Sequence, residues 1–165
     1  MRMRSVSMGL AFALLCFSIS ALAGCGGVGS TGDDIQPLRL LDVYPQQGET
    51  GVPLDAAVIA AFDDEVFAAG ECQSSSNVSA ATLYLRACPQ GGQETQVTAS
   101  VMCSRLYEND GVTVKREELT TALLQPDAPL EANARYCIYI DASIKGENTD
   151  QLGVTIESSF TTADH

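Results

Sequence analysis

The sequence predicts an all-β sandwich of about seven strands, and three observations carry that prediction. Apolar residues recur with period 2 in short runs, each run is bounded by Gly, Pro, Asn or Asp, and no segment carries a long apolar stripe at helical spacing. Such alternation belongs to strands that bury one face, and about seven of them in about 125 residues bury those faces against each other as two sheets. The chain of 165 residues has room for one such domain, with a leader and a linker to spare.

In chain order, Val58, Ala60 and Phe62 alternate with Ala57, Ile59 and Ala61. Leu83 and Leu85 alternate with Thr82, Tyr84 and Arg86, and Val97, Ala99, Val101 and Cys103 form a third set. Asn109-Asp110-Gly111, between Tyr107 and Val112, signals a hairpin, because these residues tolerate positive φ. Glu117 and Glu118 are expected to start a short helical turn. Tyr136, Ile138 and Ile140 form a last alternating set.

The amino terminus carries a different signal. Arg2 and Arg4 precede a run from Val6 to Ala23 that is apolar apart from a few serines, the layout of an export signal. A retained membrane helix needs about 20 predominantly apolar residues, and Ser18 and Ser20 interrupt this run. Leu22-Ala23-Gly24-Cys25 resembles a lipobox, the recognition sequence of the bacterial lipoprotein signal peptidase. That resemblance implies cleavage ahead of Cys25, diacylglycerol on its thiol, and acylation of the new amino group. A single acyl chain binds a membrane marginally, at about 0.8 kcal/mol per buried CH₂, so two or three make a lasting anchor. Gly26 stands where an Asp commonly signals inner-membrane retention, so the outer membrane is favoured if the cell has two. Residues 1–24 are therefore expected to be a lipoprotein signal peptide. Residues 25–37 follow as the lipidated Cys25 and a flexible glycine-rich linker, and 38–165 as the sandwich.

Charge narrows the function. The formal net charge is −12, and losing Arg2 and Arg4 with the leader takes it to −14 before the termini are counted. That repels phosphate backbones, so no nucleic-acid partner is expected. Trp is absent and aromatic residues make up 6%, which argues against a stacking platform for bases or sugars. Catalysis is not expected either. The one histidine, His165, ends the chain, and Asp63–Asp64 or Glu117–Glu118 are neighbours whose side chains point apart on a strand. No phosphate-cradling loop occurs, and neither a cofactor nor a metal site is expected. Acidic stretches at Asp63-Asp64-Glu65 and Glu147 to Asp150 keep open an alternative, a small-ligand or calcium-binding role, although EF-hand spacing is missing.

Tyr44-Pro45-Gln46-Gln47-Gly48-Glu49-Thr50-Gly51-Val52-Pro53 resembles the P-x-x-G-x-x-x-V-P opening of bacterial Ig-like domains of the SbsA type, and the apolar run to Phe62 follows as it does there. Pro126, Leu130, Tyr136, Ile138 and Ile140 match their later P-x-x-x-L-x-x-x-x-x-Y-x-V-x-V signature, and Phe160-Thr161-Thr162 their closing F-T-T. The resemblance spans Leu38 to Thr162. It departs from the pattern in a longer, cysteine-bearing middle from Ala87 to Leu124 and in a partly kept Asp150-Gln151-Leu152-Gly153. It implies an Ig-like β-sandwich with Tyr136 as a tyrosine corner. It also implies a non-enzymatic module that spaces, assembles or adheres by binding another protein or an envelope component.

In that sandwich, Cys16 leaves with the signal and Cys25 carries lipid, so Cys72, Cys88, Cys103 and Cys137 remain, with three possible connectivities. A strand from Ala81 to Arg86 spans about 20 Å, which disfavours Cys72–Cys88. The implied topology sets Cys137 beside Cys88 on the outer face and carries Cys103 back towards Cys72. The expected bridges are Cys88–Cys137 and Cys72–Cys103, with free buried thiols as the alternative.

Overall fold

A computed structural model describes residues 36–73, 75–148 and 151–165. Among these residues there are nine strands and no helix: β1 (Leu40–Tyr44), β2 (Thr50–Val52), β3 (Val58–Phe62), β4 (Leu83–Ala87), β5 (Thr95–Gln96), β6 (Ala99–Tyr107), β7 (Val114–Pro126), β8 (Arg135–Ile140) and β9 (Ile156–Thr162). One sheet has the order β1-β3-β7-β6 and the other β2-β9-β8-β4-β5. Neighbours are antiparallel except β2 and β9, which run parallel.

The alternation in the sequence becomes the two inner faces. Val58, Ala60 and Phe62 of β3 are buried while Ile59 is exposed. Val58 lies opposite Leu124, which lies opposite Val101, so one apolar row crosses three strands. In the facing sheet Leu85 lies opposite Ile138, and Ile140 and Phe160 close the layer. Each such side chain contributes about 1.5–3 kcal/mol by leaving water.

The two-sheet sandwich is as expected, with nine strands where about seven were anticipated. The two-residue β5 and three-residue β2 are sheet-edge strands, too short to show period 2 in the sequence. Glu117 and Glu118 do not start a helical turn. They lie within β7, opposite Arg105 and Ser104 of β6.

Register fixes the two ends of the sandwich. Leu40 at the start of β1 lies opposite Phe62 at the end of β3, and Ala61 lies opposite Thr121 of β7. Past this level β6 and β7 continue as a hairpin. The register jumps between Cys103–Ala122 and Ser104–Glu118, so β7 carries extra residues at a bulge. There the Leu119 carbonyl accepts the N–H groups of Val66 (3.0 Å) and Phe67 (3.3 Å) from the β3–β4 connection. Among the described residues the 104–118 segment pairs only with itself. Its turn includes Gly111 at φ 69°, a conformation that a side chain would strain. The β8–β9 connection reaches the same end, where Asn148 donates to Asp64 at 3.4 Å. The β4–β5 and β7–β8 connections lie at the opposite end, with the close of β9.

Candidate functional site

Cys16 and Cys25 lie outside the described residues. The other four cysteines are brought together in pairs, Cys72–Cys103 with Cα atoms 4.8 Å apart and Cys88–Cys137 with Cα atoms 5.8 Å apart. The first bridge belongs to the core. It fastens the β3–β4 connection to the edge of β6, where the Cys103 N–H also donates to the Cys72 carbonyl at 2.8 Å. The second lies beside Arg86 on the outer face of the five-stranded sheet, joining the segment after β4 to β8. The Glu117 carboxylate comes within 4.8 Å of the Cys72 and Cys103 sulfurs. Both sulfurs are spent in the bridge, so neither is a thiolate ligand for a metal.

Tyr136, the second residue of β8, has its ring buried and stacked on Phe160 at 5.6 Å between centroids. Its hydroxyl accepts the backbone N–H of Glu131 at 2.9 Å. This ties the loop before β8 to the core, as a tyrosine corner does.

The acidic stretches take on different tasks. The Asp63 carboxylate accepts both the Arg39 backbone N–H (2.8 Å) and Nε (2.7 Å). Those hydrogen bonds hold its pKa below the usual carboxylate range. Asp64 instead faces Asn148. His165 is exposed and lies 2.6 Å from the Asp164 carboxylate beside it.

On the outer face of the five-stranded sheet, Tyr84 and Tyr139 stack at 5.1 Å, and the Arg86 guanidinium lies 5.2 and 5.3 Å from the two ring centroids. Glu94 joins them, accepting from Arg86 at 3.1 Å and from the Tyr139 hydroxyl at 2.9 Å. The Arg86 hydrogen bond, then that of Tyr139, lowers the Glu94 pKa. Burial and then the Glu94 contact push the Tyr139 hydroxyl up to about 12. The sequence shows these four types but not their meeting, since Glu94 belongs to the loop ahead of β5.

Apolar side chains also reach the surface on both the β6–β7 ribbon and the sheet. Across the outer face of the four-stranded sheet, Tyr44, Ile59, Leu123 and Met102 form one cross-strand row. On the hairpin, Leu106 (48% exposed), Tyr107 (47%), Val112 (80%) and Val114 (41%) stand in water, with Leu106 and Tyr107 on opposite faces of β6. Asp110 organises the turn. The Asp110 carboxylate accepts the N–H groups of Val112 (2.9 Å) and Thr113 (2.8 Å) and the Thr113 hydroxyl (2.6 Å). Behind the tip, Arg105 pairs with Glu117 at 3.3 Å and Arg116 with Glu118.

Comparison with protein families matches residues 34–162 to the bacterial Ig-like domain family. A solved structure of surface layer protein SbsC, domains 1–6, is similar at 13% identity and a TM-score of 0.49. The match covers 78% of this chain and 14% of that one. A comparison with curated proteins finds no match.

Proposed function

This chain belongs to the bacterial Ig-like domain family, and from that premise we propose a non-enzymatic, lipid-anchored module of the cell envelope that acts in spacing, assembly or adhesion. The observation that carries the proposal is the family match across residues 34–162, nearly the whole sandwich, since such domains are typically structural modules. The geometry supports it. Asp63, Glu94, Asp110 and Tyr136 are engaged in contacts that hold loops and strands in place. The anchor rests on the Leu22-Ala23-Gly24-Cys25 sequence, and with it the module sits on a membrane, the outer one in a cell that has two.

Replacing Cys25 by Ser tests the anchor. The expected outcome is loss of palmitate labelling together with release from the membrane fraction or retention of an uncleaved leader. A Ser variant that still takes up label and stays membrane-bound overturns the anchor. Crosslinking on intact cells tests the module, with adducts to an envelope protein or polymer expected. A calcium-dependent rise in melting temperature without such adducts would instead favour a cation-binding role, because a ligand that binds only the folded state stabilises it.

A further inference from the structure

Lys115-Arg116 is the one place in the sequence where two basic residues adjoin, and the fold sets that pair in the β6–β7 ribbon, outside the sandwich. We propose that the peptide bond between them is a processing site for an endopeptidase specific for paired basic residues. The cut module then persists as a folded, two-chain form held together by Cys88–Cys137. The inference goes beyond the envelope-module reading and does not depend on the lipid anchor.

An endopeptidase takes its substrate as an extended strand, so the residues around the scissile bond must come free of their sheet partners. Among the described residues, the ribbon of residues 104–118 pairs only with itself, and an isolated two-stranded ribbon is marginally stable in water. It therefore opens at far lower free energy than the sandwich. Lys115 is exposed, and the Arg116 side chain keeps 68% of its surface in water. The other described cations are worse placed. Arg86 and Arg135 belong to strands with a partner on each side. Arg39 is tied to Asp63 beside the buried Leu38, the Arg105 side chain is only 25% exposed, and Lys145 follows the buried Ile144 in a bridge to Gln151.

The opening has a built-in stop. Register breaks between Cys103 and Ser104. At that break the Cys72–Cys103 bridge holds β6, and the Leu119 carbonyl, accepting the N–H groups of Val66 and Phe67, holds β7. From Thr121 to Leu124, β7 stays paired with β3. Hydrolysis adds one water across the Lys115–Arg116 bond, leaving a carboxylate on Lys115 and an ammonium on Arg116 and breaking no other covalent bond. Cys72–Cys103 lies within the amino-terminal product, whereas Cys88 and Cys137 lie on either side of the cut. The second bridge therefore joins the two products, and the sheets lose only ribbon pairing.

The test treats the exported, oxidised protein with trypsin at a low enzyme ratio, with products mapped by mass spectrometry and run on gels with and without reductant. The expected first cut within residues 36–165 is at the Lys115-Arg116 pair. It should give one species, heavier by one water, without reductant and two fragments with it, and a cooperative melt close to that of the intact protein. A double variant, Lys115→Gln with Arg116→Gln, should survive about tenfold longer, because the remaining sites open only with the sandwich. A first cut at any other Lys or Arg of that range, or an unchanged rate in the double variant, overturns the site. Fragments that part without reductant, or a melt abolished by the cut, overturn the two-chain form. Immunoblots of the cell envelope should show the same reductant-sensitive pair, and its absence there overturns processing.

Discussion

Tyr136 carries two separable contributions, and removing them one at a time tests how β8 is held. Tyr136→Phe deletes the hydroxyl that accepts the Glu131 N–H at 2.9 Å and leaves the ring in place. Glu131 is exposed, so water takes over the freed donor, and the expected loss is about 1 kcal/mol. Tyr136→Ala also removes a ring that is 3% exposed and stacked on Phe160. By comparison with aromatic truncations in other cores this costs about 3–5 kcal/mol, and the lost stacking pushes it towards the upper end. The assay is urea unfolding with both disulfides intact, comparing midpoints at constant slope. Two ribbon glutamates serve as references. Glu118→Gln breaks an exposed pair with Arg116 and should cost within about 0.5 kcal/mol. Glu117→Gln should cost more, since Arg105 is half-buried and its Nε has no partner among the described residues. Equal losses for the Phe and Ala variants of Tyr136, or an Ala variant costing under about 1 kcal/mol, would refute the corner.

The two bridges close loops with sequence separations of 31 and 49, for which chain entropy gives about 4 kcal/mol each. Paired alanine variants should lose about 2–4 kcal/mol per bridge in urea, and peptide mapping without reduction should recover Cys72–Cys103 and Cys88–Cys137; a Cys72–Cys88 peptide would refute the pairing. Tyr139 sets an alkaline limit. Its folded pKa of about 12 exceeds the ordinary 10.0. The stability it contributes is therefore full below pH 10 and is lost as pH rises through the folded value. Asp63 sets the acid counterpart. Its lowered pKa means that its contribution is present above the ordinary carboxylate pKa and is lost as pH falls through the folded one. Unfolding midpoints across pH check both, and Tyr139→Phe should flatten the alkaline limb.

Much of the sandwich is legible in the sequence because burial on one face leaves a trace of period 2. Val58 to Phe62 and Tyr136 to Ile140 form strands with the anticipated faces inward. The trace fades where both faces meet water. In the ribbon, Lys115, Arg116, Glu117 and Glu118 follow one another with no apolar partner, so strand and helix look alike there, and the expected helical turn is in fact part of β7. Asn109-Asp110-Gly111 does mark the turn, because positive φ is a local demand. The placement of Glu94 against Arg86 and Tyr139, and of Asn148 against Asp64, depends on which loops share an end of the fold. Period and spacing carry no record of that.

The parallel pairing of β2 with β9 bears on how the module would respond to tension. β1 begins at the ribbon end and β9 finishes at the opposite one, so a pull between the two drags β2 and β9 past each other along their length. The bonds from Gly48 N–H to the Ser159 carbonyl, Thr161 N–H to the Glu49 carbonyl and Ala163 N–H to the Val52 carbonyl are then sheared as a group instead of being unzipped one by one. Beyond that clamp, the Cys72–Cys103 and Cys88–Cys137 crosslinks cap the length of chain that can be drawn out. A load applied between the two ends of the sandwich would meet a fold that resists first and yields only by a bounded amount.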